Sequence, residues 1–303
     1  MAITQTQLRS FLAVFRTGSV TAAADELIVT QPSVSAAVSA LSRELGVDLT
    51  ERNGRSIRPT PAGEAFVPYA ADVLGLLEQG TRASREAAQV AAKELRIAAV
   101  TTAGEYIVPP LMQAFSASHP EIALSLDVGN RERVFERVRS HRSDVAVGGR
   151  PPSEGVLGEC FLENPIAIIT APDDPLAGKH ALPIEELGGR PWLLREEGSG
   201  TRTMTEEFLA AYELRPPLLT LGSNGAIKEA ARAGLGVSLQ SRLTARLELE
   251  VGLLATIDVS ARLPQRHWYL LRPEHGPLRP PVEEFLSFVR SEGGKALERV
   301  RLR

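Results

Sequence analysis

The apolar positions of the first sixty residues fall into three short helical stretches. Leu8, Phe11, Leu12 and Phe15 recur at intervals of 3, 1 and 3, one face of a helix. Thr4 and Gln7 ahead of them have the spacing of a capping box. Thr17-Gly18-Ser19 ends this helix. Val20, Ala23, Ala24 and Leu27 repeat the spacing in a second helix, whose alanines allow close approach to a neighbour. Ile28-Val29 makes a tight connection. Thr30 then caps a third helix, in which Pro32 is harmless because first-turn amides have no intrahelical partner. Val34, Val38, Leu41 and Leu45 form its buried stripe, and Gly46 stops it.

The other face of the third helix carries Gln31, Ser33, Ser35, Ala36 and Ser39, all small or polar and none acidic. A tight turn leading into a helix with such a face is helix-turn-helix geometry, able to approach base edges without repelling phosphates. An ordinary three-helix bundle with a solvated face would show the same helices. The next residues discriminate. Asp48–Glu51 and Ser56–Arg58 read as short strands around Asn53-Gly54, a hairpin signal. Residues 1–60 hold six Arg and five acids, a net of +1, and three of the arginines (52, 55 and 58) lie in this hairpin. A basic hairpin after a helix-turn-helix is a wing that holds phosphates or enters a minor groove. The expected DNA contacts are Thr30, Gln31, Pro32, Ser33 and Ser35 in the major groove, with Arg52 and Arg55 on the wing.

From Glu94 the period changes to that of strands alternating with helices. Leu95–Val100, Ile122–Val128 and Asp144–Val147 read as strands, with helices through Met112 and Phe115 and through Val134, Phe135 and Val138 between them. After Ile166–Thr170 the pattern restarts with strands at Pro191–Leu194, Leu218–Leu221 and Gly236–Leu239. His267–Leu271 is a late strand, and Val282, Phe285, Leu286 and Val289 mark a last helix. The alternation implies parallel α/β sheets. Two such halves, joined by crossing segments near 165–170 and 265–270, make a hinged pair with a cleft. Ligands of such sheets sit outside the carboxyl ends of the strands. The loops there are rich in Thr, Ser, Asn and Gly, and helix amides with hydroxyls favour a small anion, a carboxylate or a phosphate. The expected effector contacts are Thr101, Thr102, Asn130, Ser199, Gly200, Thr201, Arg202 and Asn224, with Gly198-Ser199-Gly200-Thr201-Arg202 the sharpest loop.

A family resemblance rests on motifs in order and evenly spaced: "Phe11-Leu12-Ala13-Val14", "Gly18-Ser19-Val20-Thr21-Ala22-Ala23-Ala24", "Thr30-Gln31-Pro32-Ser33-Val34-Ser35", "Leu41-Ser42-Arg43-Glu44-Leu45-Gly46-Val47" and "Thr60-Pro61-Ala62-Gly63". The chain resembles LysR-type transcriptional regulators over nearly its whole length. Thr50 stands where the family usually has Phe, and Ala36 where many members carry a longer side chain. The resemblance implies a winged helix-turn-helix, a long linker helix, and an α/β effector domain of two subdomains laid out like a periplasmic binding protein. It implies double-stranded DNA with a partly palindromic operator as partner, and a small anionic effector. It also implies a homodimer, with pairing into a tetramer and contact with RNA polymerase as further expectations. Within the family, "Gly129-Asn130-Arg131-Glu132-Arg133-Val134", "Val147-Gly148-Gly149-Arg150-Pro151-Pro152" and "Arg195-Glu196-Glu197-Gly198-Ser199-Gly200-Thr201-Arg202" look most like regulators of the Calvin-cycle carbon-fixation operon. That branch responds to phosphorylated sugars, organic acid phosphates or reduced nicotinamide nucleotide.

Between the two regions, Thr60 and Pro61 open a long helix. Phe66, Ala70, Val73 and Leu77 recur along it and the pattern continues through Ala83, Ala87 and Ala91, a seam suited to a twin helix. Pro68 is expected to kink it. The expected division is 1–60 for DNA binding, 61–92 for the linker and 93–303 for the effector. Within the last, subdomain I is 93–165 plus 268–303 and subdomain II is 166–267.

Composition alters this picture little. The 303 residues carry a net charge of −3, so any DNA-binding surface must be local. One cysteine, Cys160, excludes an internal disulfide or a Cys-rich zinc site. No apolar run spans a bilayer and the N-terminus lacks a secretory pattern, so the expected compartment is the cytoplasm with no membrane partner. The five histidines are scattered without metal-ligand spacing, and no nucleophile elbow or phosphate-binding loop occurs, so no metal, cofactor or catalytic residue is expected. The competing readings are a solute-binding protein, or a small-molecule enzyme with a helical dimerisation domain.

Overall fold

The computed structural model describes residues 2–53, 56–89 and 92–301. The chain divides into two compact units. The first is 1–92 with the short stretches 139–142 and 273–277, and the second is the remainder of 93–303.

In the first unit, α1 (Gln5–Thr17), α2 (Val20–Leu27) and α3 (Gln31–Leu45) precede β1 (Thr50–Asn53), β2 (Ser56–Pro59) and α4 (Pro61–Ala87). The Thr4 hydroxyl accepts from the Gln7 amide at 3.3 Å, and the Gln7 side chain accepts from the Thr4 amide at 2.6 Å, so the capping box is complete. The core face of α1 is Leu8, Phe11 and Val14. Phe15, expected inside, is 36% exposed, because the bundle covers a face rotated toward Val14. Ser19 caps α2 through the Ala22 amide. Thr30 stands at the N-cap of α3 but bonds the Ser33 hydroxyl at 2.8 Å instead of an amide. Val34, Val38 and Leu41 are buried as the stripe requires, and Leu45 is half-buried.

β1 and β2 pair antiparallel, with Glu51 opposite Arg58. Thr60 caps α4, whose 27 residues extend about 40 Å. Gly63 is required near its start, since a Cβ there would lie 2.0 Å from the Leu49 carbonyl oxygen. The seam divides in two. Phe66 packs on Phe11, centroids 5.8 Å apart, and Ala70 is fully buried, so both serve this unit's own core. The exposed apolar stripe is instead Tyr69, Val73 and Leu77. Spaced by four, these three lie on one side of the helix.

The second unit contains two sheets. The first is built from β3 (Lys93–Val100), α5 (Thr101–Tyr106), α6 (Val108–Ser118), β4 (Ile122–Gly129), α7 (Arg131–Arg139), β5 (Val145–Gly148) and β6 (Val156–Asn164). β7 (Ile166–Thr170), β8 (Trp192–Leu194), α8 (Gly200–Ala211), β9 (Leu218–Thr220), α9 (Asn224–Arg232), β10 (Ser238–Ser241), α10 (Arg246–Glu250) and β11 (Ala255–Ile257) form the second half. β12 (Arg266–Pro273) and α11 (Pro280–Arg301) return to the first. The five-stranded order is β4-β3-β5-β12-β6, with β3 parallel to β4 and β5. In the second half β7 is flanked by β10 and β11, and a bridge between Trp192 and Val237 ties in the parallel pair β8-β9.

The structure differs from the expected pattern of parallel sheets: β7 pairs antiparallel with β10 and β11, β12 pairs antiparallel with β5, and α10 and β11 were not anticipated. The helix after β3 is broken at Ile107, ahead of Pro109-Pro110, into α5 and α6. β6 went unpredicted because its residues are mostly exposed and include Glu159 and Glu163. Each half has its own core, centred on Phe115 and Phe285 in one and on Trp192 and Phe208 in the other. Among the described residues no helix is long and apolar enough to cross a membrane.

Candidate functional site

A cavity of the second unit opens where strand ends of the two sheets meet. From the first sheet it is lined by Thr101 and Thr102 after β3, Gly129, Asn130 and Arg131 after β4, and Gly149 after β5. The second half contributes Arg195 after β8, and Ser199, Gly200 and Thr201 at the start of α8. Asn164, Ser241, Arg266 and Trp268 close it beside the crossing strands. Its cavity volume is about 50 Å³ behind an open mouth, and no Asp or Glu lines it. The location follows from topology, because parallel strands release their loops at the carboxyl edge.

The wall is organised by hydrogen bonds. Ser199 accepts from the Thr201 amide at 3.3 Å and so begins α8. Gly198, at φ +78, precedes it in the left-handed region, and a Cβ there would lie 2.8 Å from Asn130 Nδ2. Asn130 accepts from the Arg133 amide at 2.9 Å and starts α7. Arg195 is 4% exposed and fully engaged. It makes two bonds to Glu196, at 2.7 and 2.8 Å, one to Asn224 Oδ1 at 2.6 Å, and one to the Thr101 hydroxyl at 3.5 Å. Arg131 donates to the Arg150 carbonyl at 2.9 Å and lies 4.4 Å over the Phe135 ring. Among the described residues Arg266 has one hydrogen bond, to the Gly200 carbonyl at 3.4 Å. Burial pulls its pKa below the usual arginine value, and the negative charge of Glu207 opposes this in part.

Of the expected effector residues, Thr101, Thr102, Asn130, Ser199, Gly200 and Thr201 line this cavity. Arg202 does not. One residue further into α8 its guanidinium turns to Glu206, at 2.7 Å, as i,i+4 spacing favours. Asn224 is also off the wall, 1% exposed. It donates to the Thr102 hydroxyl and to Glu105, both at 3.2 Å, so it joins the two halves of the unit. The arginines that do face the cavity, Arg131, Arg195 and Arg266, were missed as contacts. The first two stand inside distinctive motifs, whereas Arg266 opens a strand with no local signal.

In the first unit, Thr30, Gln31, Pro32, Ser33 and Ser35 are all exposed along the start of α3. Arg52 is exposed on β1, and Arg55 lies outside the described residues. Arg58 is paired with Glu51 at 2.6 Å across the hairpin, so part of the wing's expected charge is neutralised internally. Among the described residues no cluster of His, Cys, Asp and Glu is placed to hold a metal.

Comparison with known proteins gives both units a family. Residues 5–64 match the bacterial regulatory helix-turn-helix of the lysR family, and residues 88–294 match the LysR substrate binding domain. The chain is 36% identical to the HTH-type transcriptional activator CmpR of Synechocystis, over 93% of each chain. It is 37% identical to a RuBisCO operon transcriptional regulator of Allochromatium vinosum, over 97% of this chain and 98% of that one. Among solved structures, the regulatory domain of CcmR from Synechocystis PCC6803, in complex with 2-PG, is 33% identical with a TM-score of 0.63, covering 66% of this chain and 96% of that one. Both units are thus matched to domains of one family, and the chain belongs to the LysR family of bacterial transcriptional regulators.

Proposed function

We propose that this transcriptional regulator is switched by a small anion, a carboxylate or a phosphate, held in the cavity of its second unit. The observation that carries this is the lining: three arginines, hydroxyls and helix-start amides, with no carboxylate. The 2-PG held by the similar CcmR domain supports the same chemistry. Thr101 and Arg195 belong both to the wall and to the bonds joining the two halves. A bound anion therefore changes the angle between halves to the extent that it prefers one angle over another. A coupling of about 1–3 kcal/mol is enough to alter the response at a promoter without abolishing DNA binding.

The DNA contacts are assigned to Thr30, Gln31, Pro32, Ser33 and Ser35 on α3, and to Arg52 and Arg55 on the wing. The division is 1–60 for DNA binding, 61–92 for the linker, and 93–303 for the effector domain in two subdomains. The exposed stripe Tyr69, Val73 and Leu77 on α4 supports a homodimer through that helix, which gives two reading heads for a partly palindromic operator. Pairing into a tetramer and contact with RNA polymerase are extensions of the same reading. So is a cytoplasmic location, where chromosomal DNA lies. The likeness to RuBisCO operon regulators supports a carbon-fixation operon as target.

The test uses the full-length protein, DNA upstream of its own gene, and a panel of small carboxylates and phosphates in gel shifts. Gly149→Leu fills the cavity, where a Cβ already lies 3.2 Å from Arg266 Nη2. It is expected to bind DNA like the parent without effector and to lose the response to it. An undiminished response places the effector site elsewhere.

A further inference from the structure

The two histidines of the first unit meet at one carboxylate. His141 lies in the turn after α7 and His275 in the stretch after β12, far apart in sequence. Between them stands Asp72 of α4, whose Oδ1 is 3.3 Å from His141 Nε2 and whose Oδ2 is 2.9 Å from His275 Nδ1. The His275 side chain is 60% exposed, whereas that of His141 is 2% exposed. Asp72 engages His141 through Nε2, but among the described residues the His141 Nδ1 is buried with no hydrogen-bond partner.

The fit around that ring is close. A Cβ on Gly75 would lie 2.6 Å from the Ser140 carbonyl oxygen and 2.7 Å from His141 Cβ and Cδ2, so α4 reaches the turn only because glycine is there. One turn further along the same side of α4, Gln79 donates to the Pro277 carbonyl at 2.9 Å. His141 itself sits at φ +54, in the left-handed region that a residue with a side chain adopts at a cost. Such a conformation persists only where the surrounding contacts impose it, and here α4 supplies them.

A neutral His141 donates from Nε2 to Asp72 and leaves Nδ1 as a bare acceptor. A second proton would go on Nδ1 and make a buried, charged donor without an acceptor, whereas a ring freed into water finds one. We propose that His141 is a proton-operated latch: protonation at Nδ1 releases α4 from the turn 139–142, which makes the hydrogen ion a second input to this regulator, separate from any ligand in the cavity. Linkage fixes the direction of the response. Burial lowers the His141 pKa from its ordinary 6.5, Asp72 opposes this by charge and hydrogen bond, and Arg82 and His275 add to the lowering. The docked state therefore binds fewer protons than the released one, so the latch is firm above about pH 6.5 and weakens as the pH falls below it. The charged groups that act on the ring are Asp72 and Arg82 of α4 and His275 of the 273–277 stretch. Arg139, Arg142 and Glu274 neighbour the two histidines in sequence, and Glu78 of α4 is taken by Arg9 at 3.2 Å.

The experiment is hydrogen exchange on the full-length protein at about pH 7.5 and 5.5, a range that brackets the imidazole's ordinary pKa, with each rate taken relative to the intrinsic exchange at that pH. The peptide to follow covers 139–143 and includes the Ser143 amide, which donates to the Arg137 carbonyl at 3.1 Å. In the parent its protection should fall about 10-fold at the lower pH, the factor by which protonation favours a released imidazole one unit below its ordinary pKa. His141→Gln, whose amide can reach Asp72 but does not titrate, should hold its protection at both pH values, and His275→Gln should behave like the parent. In gel shifts on DNA upstream of its own gene, the ratio of parent to His141→Gln affinity should change between the two pH values. Equal protection of the parent at both pH values overturns the latch. So does a fall in protection that survives His141→Gln or disappears in His275→Gln, and a constant affinity ratio overturns the proton as an input. Should His141→Gln fail to fold, the parent and His275→Gln decide by the same criteria.

Discussion

Asn224 offers the most direct test of how the two halves of the second unit are joined. Its side chain is 1% exposed and makes three bonds: it donates to the Thr102 hydroxyl and to Glu105, and it accepts from Arg195. Asn224→Ala removes all of them. The Thr102 bond is neutral, worth about 1 kcal/mol, while the bonds to Arg195 and Glu105 involve charges and belong to the class worth about 1.5–3 kcal/mol each. The full sum overstates the loss. Glu105 is exposed and rehydrates, and Arg195 keeps both bonds to Glu196. The net cost is therefore about 2–4 kcal/mol, set mainly by the Arg195 bond and the buried Thr102 hydroxyl.

The assay is selective without truncating the protein. The chain has two tryptophans, Trp192 and Trp268, both buried in the second unit, so their fluorescence in urea reports that unit's unfolding. With a slope of about 3 kcal/mol/M, the midpoint should fall by about 1 M. Asn224→Asp sharpens the test. It keeps an acceptor for Arg195, loses both donors, and sets a carboxylate against Glu105, so its loss should ease as pH drops and the carboxylates protonate. A midpoint for Asn224→Ala within 0.2 M of the parent's, taken as about 0.6 kcal/mol, would refute the view that these bonds hold the halves together.

Four further outcomes are expected. Gln31→Ala should relax sequence preference in binding-site selection, whereas Arg52→Ala should weaken binding to every sequence and reduce the salt slope by about 1; equal effects on all sequences from both would separate α3 from base reading. Gly63→Ala should disrupt the first unit, because its Cβ would meet the Leu49 carbonyl at 2.0 Å, while Gly80→Ala, with nothing within 4 Å, should slow hydrogen exchange along α4 by a gain of about 0.5–1 kcal/mol. Ile28 is β-branched, 91% exposed and held at φ +56, so Ile28→Asn should stabilise the α2–α3 turn by about 1 kcal/mol in hydrogen-exchange protection. Burial opposes ionisation of Asp174, but Arg190, the Leu176 amide and the Thr170 hydroxyl outweigh it and hold its pKa below the usual range; Asp174→Asn should thus lower the urea midpoint at pH 7, with the gap closing as pH falls below about 4.

What the sequence revealed, and what it hid, follows from the range of the interactions concerned. The capping box at Thr4 and Gln7, the left-handed glycines 18 and 46, and the buried stripe of α3 are local, and residues within one or two turns determine them. The cavity's backbone could be anticipated for a similar reason: parallel strands deliver their following loops to one edge, so Thr101, Asn130 and Ser199 meet there whatever their side chains. Side-chain allegiance is different, because it depends on which partner is closest in space. Arg202 looked like the loop's cation, yet Glu206 lies one turn along the same helix and claims it. Asn224 looked like a ligand contact, yet Thr102, Glu105 and Arg195 from distant parts of the chain consume its donors and acceptor. Phe66 and Phe15 exchanged roles with Tyr69 and Val14, because an apolar repeat identifies a helix more securely than it identifies which neighbour covers each side. Arg266 is the extreme case. It stands at the first residue of β12, more than a hundred residues from Arg131 and Gly149, and only the return of that strand to the first sheet brings the three together. Among the described residues it has no ion-pair partner, and that property of a folded neighbourhood has no counterpart in a linear pattern.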